Sequence, residues 1–403
     1  MSFTPALFES AAQRHLDAAL AHLRALVEIN SFTTHPPGVN AVAQRTAAMF
    51  AELGFTTEYS PCAIAGTGDH VFLRREGRGG APVVLVTHSD TVFPAEEEQK
   101  NDFRWDERAA EGRIYGPGVI DNKGGTALIW LMLHALREAA PEVFERTAWL
   151  VASNAAEEVT GDDFAHQTTA RCPQGARAVL VFEGGPVDAR GWHIVASRKG
   201  RSTWRLRAAG KAAHAGSQHG AGINAIDALA LALPRIAALT DTASERTVNL
   251  GFIHGGTVVN RVPHEAEAEW ECRATTPAAL KIADAFFASL SGPAANGAVL
   301  TAERTGFTSP WPGGDEVVAL FAHWERAAAR MGLQAVAVPR GGLSDANHLW
   351  RLGPTLDGLG PSGGNAHCSE RSADGAKLPE YLETASLVPK AVMNALALAE
   401  MLA

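Results

Sequence analysis

Val83-Val84-Leu85-Val86-Thr87-His88-Ser89-Asp90-Thr91-Val92 sets the fold class of the chain. An apolar, β-branched run that breaks into His-x-Asp predicts a buried strand carrying polar side chains to its carboxyl end. In an open α/β sheet, ligands bind at that edge. Residues two apart on a strand point to the same side. His88 and Asp90 can therefore cooperate, one on a metal and the other orienting it. The triplet alone is common, and its meaning rests on partners elsewhere in the chain.

Working outward, two more apolar runs repeat the pattern. Residues 147–152 run out into Glu157 and Glu158, and residues 178–182 run out into Glu183. Helical spacing is predicted over 7–29, 42–53 and 125–136, with Pro36-Pro37-Gly38 read as a break and 113–121 as a glycine-rich loop. Strands that end in a carboxylate or imidazole, separated by helices, predict a largely parallel α/β sheet with its site at one edge. The texture changes between 198 and 307. There the order strand, helix, strand, strand, helix, strand is the ferredoxin-like pattern. Glu265, Glu267, Glu269 and Glu271 alternate with Ala266, Ala268, Trp270 and Cys272, as in a sheet with one wet face. The expected organisation is an α/β domain over 1–197 and 308–403, interrupted by an inserted α+β domain over 198–307.

The 403 residues hold 35 basic and 44 acidic side chains, a formal charge of −9. That balance, with no long basic run, argues against nucleic acid or an anionic membrane as partner. Cys62, Cys172, Cys272 and Cys368 are widely spaced, which suits a reducing compartment and disfavours a thiolate zinc site. The first 29 residues lack the apolar core of a signal peptide. No window reads as a membrane span, so the expectation is a soluble, cytoplasmic protein.

His88, Asp121, Glu158, Glu183 and His367 each follow an apolar strand or sit in a glycine-rich loop. A set of nitrogen and oxygen donors suits a Lewis-acidic zinc or similar ion in a hydrolase. Five ligands are too many for one catalytic ion with an open position, but they serve two if one carboxylate bridges. Gly116-x-Gly118 does not extend to the full dinucleotide fingerprint, and no strand leads directly into it.

His88 to Val92, Gly116-Pro117-Gly118-Val119-Ile120-Asp121-Asn122-Lys123-Gly124-Gly125, Glu157-Glu158, Glu183, Gly255-Gly256-Thr257 with Asn260-Arg261-Val262-Pro263, and Gly363-Gly364-Asn365-Ala366-His367 occur in this order. Together they resemble the M20 metallopeptidases, and Gly341 to Asn347 resembles the glutamate-carboxypeptidase-like branch. The resemblance implies a dinuclear catalytic domain with an inserted lid and dimerisation domain. It implies two divalent ions, zinc first and cobalt as the alternative. Asp121 would bridge them, with His88 and Glu183 completing one site and Glu158 and His367 the other. Asp90 would fix the His88 tautomer, and Glu157 would be the general base. His214, in Lys211-Ala212-Ala213-His214-Ala215-Gly216, would reach across a homodimer to the partner's oxyanion. Asn260 and Arg273 would contact the substrate carboxylate. Three departures stand out: Ala156 replaces the usual aspartate, the segment from His367 to Glu380 is longer, and no second substrate arginine aligns near Arg304. Nine other histidines, His70 among them, read as structural or surface residues, and His219 is unassigned.

The function expected is hydrolysis of the amide bond of an N-acyl amino acid or C-terminal peptide residue, with a metal-bridged water as nucleophile. The rival within the class is a small N-acyl amino acid deacetylase or aminoacylase. From another class, the rivals are a catalytically silent binding protein of the same fold and, more remotely, a dinucleotide-dependent oxidoreductase.

Overall fold

Val83–His88 forms the central strand that its composition calls for, and all six of its residues are buried. The computed structural model describes residues 3–403. The chain divides into two compact units, one of Met1–Ala196, Gly313–Val338 and Ser344–Ala403, the other of Ser197–Pro312 and Pro339–Leu343. The second unit thus takes in a five-residue return, Pro339–Leu343, beyond the inserted segment.

In the first unit, helix α1 (Pro5–Val27) buries Phe8, Ala11, Ala12, Ala19, Leu23, Leu26 and Val27, the stripe that a 3.6-residue period produces. Helix α2 runs over Pro36–Ala51. The expected break at Pro36-Pro37-Gly38 is therefore a helix start. Proline is tolerated in the first turn, where its missing N–H has no helical partner to lose. Strands β1 (Thr56–Pro61), β2 (Asp69–Arg75) and β3 (Val83–His88) follow, then α3 (Lys123–Ala139). Every residue of α3 from Lys123 to Leu136 is buried, as in a helix enclosed on all sides. Strand β4 (Trp149–Asn154), helix α4 (Asp162–Ala170) and strand β5 (Ala178–Val181) complete this part.

The second unit contains β6 (Gly200–Ala209), α5 (Ala225–Ala237), β7 (Thr247–Gly255), β8 (Glu265–Ala274), α6 (Pro277–Ala288) and β9 (Val299–Thr308). The sheet order is β7-β8-β6-β9, antiparallel throughout, with the short strand Gly292–Pro293 beyond β9. This is the ferredoxin-like arrangement. Trp204, Leu206, Ala268, Trp270 and Cys272 of one sheet face pack with Leu229, Ile236, Leu280 and Phe287 of the helices. On the other face Arg205 pairs with Glu269 and Arg207 with Glu267 across strands β6 and β8. The alternating glutamates thus lie on the wet side.

The chain then returns to the first unit with α7 (Asp315–Arg330), the two-residue strand β10 (Thr355–Leu356) and the terminal helix α8 (Leu387–Leu402). The six-stranded sheet has the order β1-β2-β4-β3-β5-β10. From β4 to β10 every neighbouring pair is parallel, while β1 and β2 form an antiparallel margin. Thr384–Leu402 is long and apolar enough, by length and composition, to cross a membrane. It packs instead as a core helix against α1, α3 and α7, with Leu387, Ala391, Leu396 and Leu398 buried.

Candidate metal centre

Parallel pairing brings the carboxyl ends of β3, β4 and β5 side by side, with His88 opposite Asn154 and Val86 opposite Val181. The loops leaving these ends carry Asp90, the Glu157-Glu158 pair and Glu183. The glycine-rich segment before α3 brings Asp121 to the same place; its peptide bond to Asn122 is cis. His367 arrives from the loop after Gly363 and Gly364, with a left-handed backbone (φ 67°).

Asp121 lies between two imidazoles. Its Oδ1 is 2.9 Å from His88 Nε2, and its Oδ2 is 3.2 Å from His367 Nε2. His367 Nε2 is also 3.2 Å from Glu158 Oε2. Glu183 Oε1 lies 3.7 Å from His88 Nε2 and accepts from Asn122 Nδ2 at 2.8 Å. The five expected ligands therefore meet, two imidazoles and two outer carboxylates around one shared carboxylate. His88, Asp121 and Glu158 each offer a donor atom within 4.8 Å of the others.

Asp90 is fully buried and divides its attention. His88 Nδ1 is 3.0 Å from the Asp90 backbone carbonyl and 3.3 Å from its Oδ1. The carboxylate also accepts from the N–H groups of Glu157 (3.1 Å) and Glu158 (3.3 Å) and from Thr33 Oγ1 (2.7 Å). It contacts the His88 ring and the backbone of the Glu157-Glu158 loop at once.

Residues 196–295 match the peptidase dimerisation domain of the M20 type. Carboxypeptidase G2 of Pseudomonas sp. (strain RS-16) is 27% identical over 388 residues, 94% of this chain and 90% of that protein. The chain thus carries an M20-type peptidase dimerisation domain and is similar to carboxypeptidase G2 along most of its length. Acetylornithine deacetylase of Erwinia tasmaniensis is 30% identical over 228 residues, 53% of this chain and 55% of that protein. The crystal structure of aminopeptidase PepT from Bacillus cereus superposes with a TM-score of 0.77 at 21% identity, covering 96% of this chain and 98% of that one. That likeness speaks for the fold.

The charge balance of this centre fits divalent cations. Burial alone would raise the Asp121 pKa, but hydrogen bonds from His367 and His88 outweigh it and hold the carboxyl well below its usual range. Hydrogen bonds to Asp121 and Glu158 push the His367 imidazole up to about 11. His88 is also raised well above its ordinary value, its burial overcome by Asp121 and Asp90. Protons on two imidazoles thus answer the carboxylate charge that a divalent ion would answer instead. Glu158 Oε1 is buried with no hydrogen-bond partner. A buried acceptor so left is costly unless something else, here a cation, takes it. Burial, opposed by His88 and reinforced by Glu183, Asp345 and Glu158, raises the Glu157 pKa well above the carboxylate range.

The residues of the second unit singled out from the sequence lie as follows. His214 is exposed, and its Nδ1 accepts from the N–H groups of Gly216 (3.1 Å) and Ser217 (3.2 Å). Asn260 sits beside it, its carbonyl accepting from Ala215 N–H at 3.0 Å. Arg273 lies near the far end of β8, with its guanidinium on both oxygens of Glu271 and on the Gly341 carbonyl. Asn260 precedes the start of β8, and the strand from there to Arg273 spans roughly 25 Å. Within one chain, the two side chains therefore stand at opposite ends of β8. Arg304 pairs with Asp284 and lies over Phe307.

Sequence reasoning did not identify several supports. Glu380 Oε1 accepts from the N–H groups of Ile120 (2.9 Å) and Asp121 (3.1 Å), fixing the loop of the shared carboxylate. Its burial, together with the charge of Asp121, pushes its pKa up to about 8. Asn154 accepts from Ala156 N–H and donates to Asp345 Oδ1 at 2.9 Å. Neither residue sits at a spacing that marks it, because the Glu380 contacts and the Asn154–Asp345 contact join segments distant in sequence.

Proposed function

We propose that the chain is a metal-dependent amidohydrolase that cleaves the amide bond of an N-acyl amino acid or of a C-terminal peptide residue. The observation that carries this reading is Asp121, with one oxygen at 2.9 Å from His88 and the other at 3.2 Å from His367. His88 and Glu183 would hold one divalent ion, Glu158 and His367 the other, with Asp121 shared; zinc is proposed first and cobalt second. When bound, such ions supply Lewis acidity and bring the pKa of water to about 7.

Glu157 accepts the proton of the attacking water and returns it to the leaving amine. A buried carboxyl with a raised pKa suits a group that must hold that proton between the two events. Arg273 offers a planar fork for the substrate carboxylate, on exchanging its contact with Glu271. Asn260 travels with His214, so both are proposed to serve the partner subunit's site in a homodimer, where His214 stabilises the oxyanion.

The match to a peptidase dimerisation domain supports that dimer. So does the edge strand β7, where Phe252 is 48% and Ile253 59% exposed, with Leu231 of α5 at 62%. Mixing Glu157→Gln with His214→Ala subunits should restore a fraction of active sites; verified heterodimers that stay inactive argue against sharing. A cytoplasmic location remains part of the proposal, on the cysteine spacing.

The deciding experiment is amine release by the zinc- and cobalt-reconstituted protein on N-acyl amino acids varied first in the acyl group, then in the amino acid. Similarity to acetylornithine deacetylase favours a second reading, a small N-acyl deacetylase. Turnover confined to acetyl substrates selects it. Stoichiometric metal with no hydrolysis across the panel overturns the enzymatic reading in favour of a silent binding protein.

A further inference from the structure

Four successive backbone N–H groups in the loop leading into the Glu157-Glu158 pair are each held by a side chain. Ala155 donates to His70 Nδ1 at 3.0 Å, and Ala156 to Asn154 Oδ1 at 3.0 Å. Glu157 and Glu158 donate to the Asp90 carboxylate at 3.1 and 3.3 Å. Asp90 and Asn154 accept through oxygens. His70 accepts at Nδ1 in only one neutral tautomer, that with the proton on Nε2.

That proton has a dedicated acceptor. His70 is 1% exposed, with the Phe164 ring 5.3 Å from its own. Its Nε2 lies 3.2 Å from Asp163 Oδ2. Asp163, in the first turn of α4, is fixed in turn by Ala63 N–H at 2.8 Å and Gln167 Nε2 at 3.0 Å. Burial lowers the His70 pKa, which favours the neutral ring despite the pull of Asp163.

Cys62, His70 and Asp163 lie close enough together to hold one cation. The tautomer argues against that use. Nδ1 is taken by Ala155 N–H and Nε2 by its own proton; freeing Nε2 would set an Nδ1 proton against the Ala155 proton. The trio is better read as a strut.

We propose that His70, locked as its Nε2–H tautomer by Asp163, is a positioning residue for Glu157. It anchors the first N–H of the loop, and Asn154 and Asp90 carry the path on to the base. The inference rests on the reading of Glu157 as general base.

The test uses full-length, zinc-loaded protein and the N-acyl amino acid turned over fastest in the panel above. In His70→Ala, kcat should fall about tenfold or more, with KM and bound zinc little changed. His70→Asn, whose amide oxygen can accept the Ala155 N–H, should recover part of the loss. Amide exchange at residues 155–158 should quicken about tenfold in His70→Ala and return toward normal in His70→Asn. Should His70→Ala fail to fold, Asp163→Ala gives the same reading through loss of the tautomer lock. In the unmodified protein, the ring proton–nitrogen spectrum should show Nε2–H.

An Nδ1–H tautomer, zinc on the His70 ring, or wild-type kcat together with unchanged exchange in folded His70→Ala overturns the proposal. Activity retained in Glu157→Gln overturns the base reading instead, and the exchange and tautomer measurements still judge the strut.

Discussion

The N–H of Glu157 donates to Asp90 Oδ1 at 3.1 Å, and the same oxygen lies 3.3 Å from His88 Nδ1. One carboxylate thus couples the orientation of the imidazole proposed to bind metal to the backbone that aims the proposed base. Asp90→Asn should damage both. The amide has a single acceptor oxygen, so its NH₂ group must face either the Glu157 or the Glu158 N–H, donor against donor. A loss of about 10- to 100-fold in metal affinity or kcat is expected, measured by zinc titration and steady-state kinetics. Wild-type values for both would remove Asp90 from this role.

Glu157→Gln separates chemistry from metal binding. The substitution keeps the size of the side chain and removes its capacity to take a proton. Turnover should fall by about 10²- to 10⁴-fold while zinc content stays near that of the unaltered protein. Simultaneous loss of metal would mean that Glu157, and not only Glu158, is a ligand.

Metal loading should release protons. Without metal, His367 is pushed up to about 11 and His88 is also raised, so both rings are protonated near neutrality. A metal ligand must be neutral imidazole. Calorimetric zinc titration at pH 7 in buffers of different ionisation enthalpy should report net proton release, reduced in His367→Ala. Binding heats independent of buffer would contradict this charge state.

Acid should destabilise the first unit through His134 on α3. Burial first, then the charges of His15 and Arg137, lower its pKa from 6.5 to about 3. The folded value lies below the unfolded one, so the unfolded chain takes up a proton that the fold refuses. The stabilisation is whole above pH 6.5 and is lost as pH falls toward 3, at about 1.4 kcal/mol per pH unit. Denaturant unfolding of His134→Gln should show a shallower decline over that window. An equal slope in both proteins would mean that His134 titrates normally.

Much of this architecture is legible locally. The β3 run, the two apolar runs after it and the ferredoxin-like order of the second unit follow from periodicity, which depends on near neighbours. His88, Asp121, Glu158, Glu183 and His367 could be named because each punctuates such a run or loop. At Pro36 the local reading failed, since a proline that breaks a helix interior also starts a helix well.

The strands, their chemistry-bearing ends and the identities of the residues that meet there follow from local pattern and residue type. Tertiary structure alone decided how those residues are held. Asp90 reaches Glu157 across 67 positions, His70 reaches Ala155 across 85, and Glu380 reaches Ile120 across 260. It also set Asn260 beside His214 and Arg273 toward the other end of β8. Periodicity carries no record of such pairings, because a hydrogen bond between distant segments depends on strand order and loop path.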